Sequence, residues 1–237
     1  MKTIILAGGK GTRLPVSAKD KPKPLVPIGD KPILQHQIDL LRKYDLKKIR
    51  LSLCYLADYI IDYIKNLEVN EEDDYEYLIE KEPLGTGGAI KFASQGIEED
   101  FMVFNGDILS DINLTEFIKV HQLYQKTHDI LASMVIWHCQ DARPYGLIKL
   151  KKDGRVLEFK EKPSQKQPGY INAGIYILSP KIFEIVPHGT FSMEHEIFPK
   201  LALEGKLGVY IHDGYWTDVG TEERLAEARD FFSQEIT

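Results

Sequence analysis

Cysteine is scarce here: Cys54 and Cys139 are the only two in 237 residues. They show no metal-type spacing and support no disulfide, so buried thiols in a reducing compartment are the expected state. None of the seven histidines is paired as H-x-H or H-x-x-x-H, which argues against a zinc site. No apolar run approaches the length of a membrane span. Basic charge is not in surplus, with 30 Lys/Arg against 36 Asp/Glu and a net charge of −6. That balance argues against a nucleic-acid partner. Met1 leads straight into a strand-like run, so the expectation is a soluble, cytoplasmic chain with no leader and no membrane partner.

What the chain does have is apolar residues, 43% of the total, enough for one large α/β domain with an ample core. Short apolar runs alternate with helix-period segments, the pattern of βαβ units around a mainly parallel sheet. Strands are expected at 2–7, 49–53, 76–79 and 101–104. Helices are expected at 32–44, 56–66, 86–95 and 114–125, the first with Ile33, Leu34, Ile38 and Leu41 on one face. Further strands at 131–137, 146–150, 155–160, 171–178 and 208–212 suggest a mixed extension of the sheet. A last helix runs from Glu222 to Phe232, with Leu225, Ala228 and Phe232 at core-facing spacing. The acidic run Asn70-Glu71-Glu72-Asp73-Asp74 reads as a solvated turn. Ser192 before Met193-Glu194-His195-Glu196 reads as a helix cap rather than a site.

The most informative stretch is Thr3-Ile4-Ile5-Leu6 emptying into Ala7-Gly8-Gly9-Lys10-Gly11-Thr12-Arg13-Leu14, with Lys21-Pro22-Lys23-Pro24-Leu25 soon after. Three glycines after an apolar strand let backbone N–H groups approach an anion, because no Cβ holds a phosphate away. Arg13 and Lys23 add a planar fork and a compact point charge. Residues 1–31 hold seven Lys/Arg against two Asp/Glu, so positive charge is concentrated here in an acidic chain. The spacing fits neither common phosphate loop. Arg13 stands where a Walker loop needs its second glycine, and Leu14 where a dinucleotide fingerprint needs its third. The plainer reading, a glycine-rich turn beside a solvated basic run, is weakened by Arg13 and the Lys-Pro-Lys segment.

This string resembles the signature of the sugar-1-phosphate nucleotidyltransferases, or nucleotide-sugar pyrophosphorylases: G-G-x-G-T-R-L, a short spacer, then a Lys-Pro-Lys variant. The resemblance covers nearly the whole chain. It continues through Pro83-Leu84-Gly85-Thr86-Gly87-Gly88, Asn105-Gly106-Asp107, Tyr145-Gly146, Glu161-Lys162-Pro163, Asn172-Ala173-Gly174 and Trp216-Thr217-Asp218-Val219-Gly220-Thr221. Each is weak alone, but six in the family's order make chance a poor explanation. The resemblance implies a three-layer, Rossmann-like α/β fold of the nucleotide-diphospho-sugar transferases with a mainly parallel, mixed central sheet. It implies one domain over 1–237, with a nucleotide lobe at about 1–110, a sugar-phosphate lobe at about 111–221 and a C-terminal helix at about 222–235. It further suggests that the chain stops after the catalytic core, and leaves room for a homodimer.

The implied reaction is attack by a sugar 1-phosphate oxygen on the α-phosphorus of a nucleoside triphosphate, expelling pyrophosphate. The sugar phosphate is its own nucleophile, so the lack of a Ser-His-Asp arrangement counts for little, and positioning and charge neutralisation dominate. By resemblance Arg13, Lys23 and Asp107 are catalytic. Leu6, Ala7, Gly8, Gly9, Gly11, Thr12, Arg13, Glu80, Pro83, Gly85 and Thr86 hold the nucleotide. Asn105, Tyr145, Gly146, Glu161, Lys162, Asn172 and Gly174 hold the sugar phosphate. Asp107 and Asp218 are the implied ligands of Mg²⁺, which takes few protein ligands. Lys21 is either a second phosphate contact or solvated.

Glu80 bears on the base. Relatives using uridine or thymidine triphosphates often carry glutamine five residues before the glycine at position 85. An amide offers one donor and one acceptor, whereas an ionised carboxylate only accepts, matching the ring N–H and amino group of guanine. Glu80 therefore points to GTP, unless it faces solvent and Glu82 or backbone groups read the base. The similarity is strongest to guanylyltransferases acting on mannose 1-phosphate or D-glycero-D-manno-heptose 1-phosphate, although Pro15 stands where many of these carry arginine. The alternatives are a UTP- or dTTP-dependent enzyme for glucose-type or amino-sugar phosphates, a non-catalytic regulatory relative, and a transferase for a non-sugar phosphate.

Overall fold

The computed structural model describes residues 1–9, 21–67 and 73–234. Its first strand, β1 (Thr3–Leu6), is apolar on both faces because both faces are covered. Beyond it lie a 3₁₀ turn (Lys23–Leu25) and a small hairpin of β2 (Pro27–Ile28) and β3 (Lys31–Pro32). Helix α1 (Ile33–Lys43) buries all four apolar residues that its spacing predicts. It ends where Asp45 takes a φ of 59° and Leu46 N–H returns to the Leu41 carbonyl at 3.0 Å. Strand β4 (Lys48–Leu53), helix α2 (Ala57–Lys65), strand β5 (Asp74–Ile79), helix α3 (Gly85–Ala93) and strand β6 (Phe101–Asn105) complete the first part.

The parallel part of the sheet runs β6-β1-β4-β5. Because β4 lies on one side of β1 and β6 on the other, strand order reverses at β1. A crevice therefore opens beyond the carboxyl ends of β1 and β6, the usual ligand position in such sheets. Alternation along the strands serves two layers. Ile5, Met102 and Phe104 face α1 and α2, while Ile4, Phe101 and Val103 face α3. The three-layer α/β arrangement follows from this division, with a mixed extension as the sequence suggests.

That extension begins with β7 (Ile108–Ser110) and helix α4 (Leu114–His128), then β8 (Ala132–Cys139), β9 (Gly146–Leu150), β10 (Val156–Glu161) and β11 (Gly169–Leu178). Strand β11 is the hub, antiparallel to β6, β8 and β9. A shift in its register against β8 between Asn172 and Tyr176 forms a bulge, a common device beside sites. After a 3₁₀ turn (Pro180–Glu184) and a π turn (Met193–Ile197) come α5 (Phe198–Leu203), β12 (Leu207–His212), β13 (Trp216–Asp218) and α6 (Glu222–Gln234). Helix α6 buries Leu225 and Ala228, and Phe232 packs against the same cluster and tilts over His36.

One reading needs correction. Asp73 is not part of a solvated turn: its side chain is fully buried and pairs with Arg42 at 2.5 Å, with the Tyr75 hydroxyl 3.3 Å away. The guanidinium, reaching from the end of α1, draws the carboxylate under it. Residues 70–72 of that run lie outside the described residues. Among the described residues no helix is long and apolar enough to cross a membrane. Cys139 is buried and Cys54 half-buried, and neither is in a disulfide among the described residues.

Candidate functional site

Two cavities open at the carboxyl edge of the sheet. The first, about 340 Å³, is floored by Leu6, Ala7, Gly8 and Gly9 at the end of β1 and by Asn105, Gly106 and Asp107 at the end of β6. Gly106 N–H donates to the Leu6 carbonyl at 3.0 Å, so the two strand ends are stitched together. Gly11, Thr12 and Arg13 lie outside the described residues. Lys23 extends from its turn to pair with Asp107, whereas Lys21 is exposed and away from the cavity walls.

The far wall of this cavity holds Glu80, Pro83, Gly85 and Thr86. Glu80 is buried and Glu82 exposed. Glu80 Oε1 accepts from the Ser52 hydroxyl at 2.9 Å and Oε2 from Leu84 N–H at 3.1 Å. A carboxylate has about four lone-pair sites, so each oxygen keeps acceptor capacity. Gly85 starts α3 with a φ of 71°, where a Cβ would stand 2.6 Å from the Phe191 carbonyl oxygen. Only glycine fits both the backbone and the space. Phe191 in turn accepts from Gly87 N–H at 3.0 Å, locking this loop to the chain before the π turn.

The second cavity, about 360 Å³, shares Thr86, Asn105 and Asp107 with the first. It gathers Tyr145, Gly146, Glu161, Lys162, Asn172, Gly174 and Asp218 from β9, β10, β11, β13 and their adjoining turns. The β11 bulge explains the Asn172–Gly174 pattern. Gly174 has a φ of 74°, its N–H meets Asn172 Oδ1 at 2.9 Å, and a Cβ there would press on Asn105 Nδ2 at 2.9 Å. Trp216 Nε1 holds the bulge by donating to the Ala173 carbonyl at 2.8 Å. Lys162 precedes a proline with a φ of 45°, a conformation disfavoured there and held by its N–H to the Tyr145 carbonyl at 2.9 Å.

Asp107 and Asp218 meet through a two-stranded ribbon. Strand β13 pairs with β7, setting Asp218 opposite Ile108, and Val219 N–H donates to the Asp107 carbonyl at 2.8 Å. Gln37 from α1 clamps the same turn from below, donating to the carbonyls of Asn105 and Ile108, each at 2.8 Å. Asp218 Oδ1 accepts from the Tyr145 hydroxyl at 2.8 Å and pairs with Arg224. Burial first, and then the Asp218 charge, push the Tyr145 hydroxyl far above its ordinary pKa, so it acts as a donor. Burial, followed by the charge of Glu194, raises the carboxyl of Glu161, whose Oε2 is buried without a partner.

Several lining residues carried no readable signal as site residues. Ser192 does cap, accepting from His195 N–H at 3.2 Å, as expected. Yet Ser192, Glu194 and His195 also line the second cavity, and Thr86 donates to Glu194. Arg224 falls inside the last expected helix, whose spacing points only to Leu225, Ala228 and Phe232. Ser52 and Gln37 sit within apolar runs and show themselves only through their partners. No group of three or more His, Cys, Asp or Glu suited to a metal occurs among the described residues. The pair Asp107 and Asp218 remains, and no described residue hydrogen-bonds Oδ1 of the former or Oδ2 of the latter. Two carboxylates with free oxygens fit a hard divalent cation that takes its other ligands from phosphates and water.

The chain is 34% identical over 225 residues to "Mannose-1-phosphate guanylyltransferase 1" of Arabidopsis thaliana, covering 93% of this chain and 61% of that protein. It is 34% identical to "Mannose-1-phosphate guanylyltransferase catalytic subunit beta" of Xenopus tropicalis, covering 100% of this chain and 66% of that one. The chain thus spans less than two thirds of these curated relatives. The structure of HddC from Yersinia pseudotuberculosis complexed with GMP-PN superposes with a TM-score of 0.82 at 38% identity, covering 98% of this chain and 99% of that one. The family model described as "Nucleotidyl transferase" matches residues 2–235, and the chain belongs to that family.

Proposed function

We propose that this chain transfers the guanylyl group of GTP to a manno-configured sugar 1-phosphate, mannose or heptose, giving a GDP-sugar. In this reaction an oxygen of the sugar phosphate attacks the α-phosphorus, and the bond to the bridging oxygen breaks to release pyrophosphate. The observation that carries the reading is that two cavities meet over Thr86, Asn105 and Asp107. One holds a buried carboxylate acceptor, and the other holds hydroxyl-binding groups and a lysine. Two anions placed in them would meet at Asp107, which converts a repulsive encounter into a positioned one.

On this reading residues 1–237 act as a single domain, with the first cavity in the lobe at about 1–110 and the second chiefly in that at about 111–221. Arg13 and the glycine-loop amides hold the triphosphate. Lys23, in contact with Asp107, stabilises charge developing on the α-phosphate, a role its pairing with that residue supports. Glu80 accepts from the ring N–H and amino group of guanine. GMP-PN in the Yersinia protein and the activities named for the mannose-1-phosphate guanylyltransferases support that choice. Glu161, Asn172 and Tyr145 border the sugar, and Lys162 meets its phosphate.

Nucleotidyl transferases of this family generally use a divalent metal. Mg²⁺ held by Asp107 and Asp218 would offset the repulsion between the two phosphates. A cytoplasmic location and a homodimer belong to the same reading.

The test is pyrophosphate release with Mg²⁺ across a grid of nucleoside triphosphates and sugar 1-phosphates. Signal confined to GTP with one manno-configured sugar is the expected result. Signal with UTP or dTTP would keep the class and overturn the base. Silence across the grid with nucleotide still bound would favour a regulatory or non-sugar role.

A further inference from the structure

Four carboxylates, Asp107, Glu161, Glu194 and Asp218, face the second cavity against two fixed cations among the described residues, Lys162 and Arg224. Asp107 is paired with Lys23, Lys162 lies beside Glu161 and Arg224 on Asp218, so each of these cations is already matched to a carboxylate, and a sugar 1-phosphate, which carries negative charge of its own, must draw one of them away. Lys162 is 60% exposed and lies 4.0 Å from Glu161, so solvent screens much of its charge. Arg224 is only 20% exposed, and its guanidinium lies 4.9 Å from the centre of the Tyr145 ring. That contact holds the group over the cavity wall. At present it is paired with Asp218.

We propose that Arg224 is a phosphate-binding residue for the sugar 1-phosphate, parked on Asp218 until substrate arrives. The inference rests on the guanylyl-transfer reading above. Three features make the exchange feasible. Asp218 Oδ1 has a second donor, the Tyr145 hydroxyl at 2.8 Å, so the carboxylate keeps its orientation when the guanidinium leaves. Gly220 leaves room beside the pair: a Cβ there would stand 2.8 Å from Asp218 Oδ2 and 3.6 Å from Arg224 Nη1. The guanidinium fork matches two phosphate oxygens at once, which an ammonium does not.

The exchange also has a consequence for the cation site. While Arg224 neutralises Asp218, it competes with a divalent cation for the same carboxylate. Releasing the guanidinium to the sugar phosphate frees Asp218 to hold the metal. Sugar phosphate and metal should therefore favour one another's binding, a reciprocal coupling.

The experiment uses wild type, Arg224→Gln and Arg224→Lys. It measures KM for GTP and for sugar 1-phosphate, together with Mn²⁺ binding to the ligand-free protein by electron paramagnetic resonance. In Arg224→Gln the expected result is a rise of about tenfold or more in KM for the sugar phosphate with KM for GTP unchanged, the loss of roughly one charge-assisted hydrogen bond. Mn²⁺ should bind this variant several-fold more tightly, because its competitor is gone. Arg224→Lys should keep the Mn²⁺ affinity near wild type and recover only part of the KM. An unchanged KM for sugar phosphate would overturn the proposal. So would weaker Mn²⁺ binding in Arg224→Gln, which would make Arg224 merely a prop for Asp218. If Arg224→Gln fails to fold, Arg224→Lys decides: wild-type KM there would remove the need for a fork. Wild-type inactivity over the whole substrate grid would instead sink the underlying reading, while the Mn²⁺ comparison would still report on the Arg224–Asp218 competition.

Discussion

The Ser52 hydroxyl donates to Glu80 Oε1 at 2.9 Å, joining an inward-facing residue of β4 to the first residue beyond β5. Both are buried, and Glu80 N–H is itself tied to the Leu53 carbonyl at 2.7 Å. With Leu84 N–H on Oε2, the carboxylate has little freedom to rotate. A base pressed against it meets acceptors only.

This makes Glu80→Gln a clean exchange of hydrogen-bonding character. The amide oxygen can still accept from Leu84 N–H, and the amide nitrogen can donate to the Ser52 oxygen. The fold should therefore hold. We expect kcat/KM with GTP to fall about ten- to a hundredfold, roughly the worth of hydrogen bonds to a charged group. Activity with UTP or dTTP should rise in parallel. Ser52→Ala should weaken GTP selectivity less, by freeing the carboxylate without changing its chemistry. Kinetics over the triphosphate panel check both, and an unchanged nucleotide profile in Glu80→Gln would remove Glu80 as the base reader.

Asp107→Asn keeps the shape of the turn but loses its charge and its pairing with Lys23. The backbone that fixes the turn, through Gly106 N–H to Leu6 and Val219 N–H to the Asp107 carbonyl, does not involve the side chain. Turnover should drop by about a hundredfold or more, roughly 3 kcal/mol of transition-state stabilisation at the usual exchange of 1.36 kcal/mol per factor of ten. The melting temperature should move little. Wild-type turnover in this variant would take Asp107 out of the chemistry.

The contrast between these two residues shows what a sequence can carry. Asp107 was legible because an apolar strand, 101–104, runs into it, and strand ends are where ligands sit in such sheets. The long strands and helices were legible for the same reason, since five or more residues suffice to display a period of 2 or 3.6. Strands β7 and β13, each of three residues, display none, so nothing local announced that Asp218 would lie beside the Asp107 turn. Glu80 could not be oriented either, because its direction depends on Ser52, a partner 28 residues away supplied by sheet register. Glu194 read as the neighbour of a cap and Arg224 carried no reading of its own, and only tertiary contacts turn them into a cavity wall.

Gln37 tests the support beneath the site. It is 2% exposed and supplies both bonds that hold the Asn105–Ile108 turn against α1. In Gln37→Leu two carbonyls lose their donor, at a cost of about 1–3 kcal/mol in stability. Turnover should fall more than this destabilisation explains, because Asp107 rides on the freed turn. Urea unfolding measured beside kcat separates the two effects. Loss of stability with intact kcat would show that the turn holds its shape without the clamp.

Glu161 gives a prediction with a definite sign in pH. Burial first, then the charge of Glu194, raise its carboxyl above the ordinary 4.5, with Lys162 and His195 pulling weakly the other way. A carboxyl raised in the folded state holds its proton more tightly there than in the unfolded chain. It therefore favours folding fully below about pH 4.5 and loses that contribution as pH rises through its folded-state value. Above its folded-state value the free protein carries an ionised, largely buried group with Oε2 unpartnered. Glu161→Gln removes that ionisation and puts an amide donor near Glu194. Its melting temperature without ligand should exceed that of the wild type at pH 7 to 8, and the difference should shrink as pH falls toward 4.5. Activity should move the opposite way, down about ten- to a hundredfold in kcat/KM, because a neutral amide accepts more weakly from sugar hydroxyls than a carboxylate. Calorimetry across that pH range, paired with kinetics in the sugar phosphate, checks both halves. A flat melting difference with lowered activity would mean that solvent reaches the carboxylate despite its burial. A stabilised variant with wild-type activity would mean that the sugar never touches it.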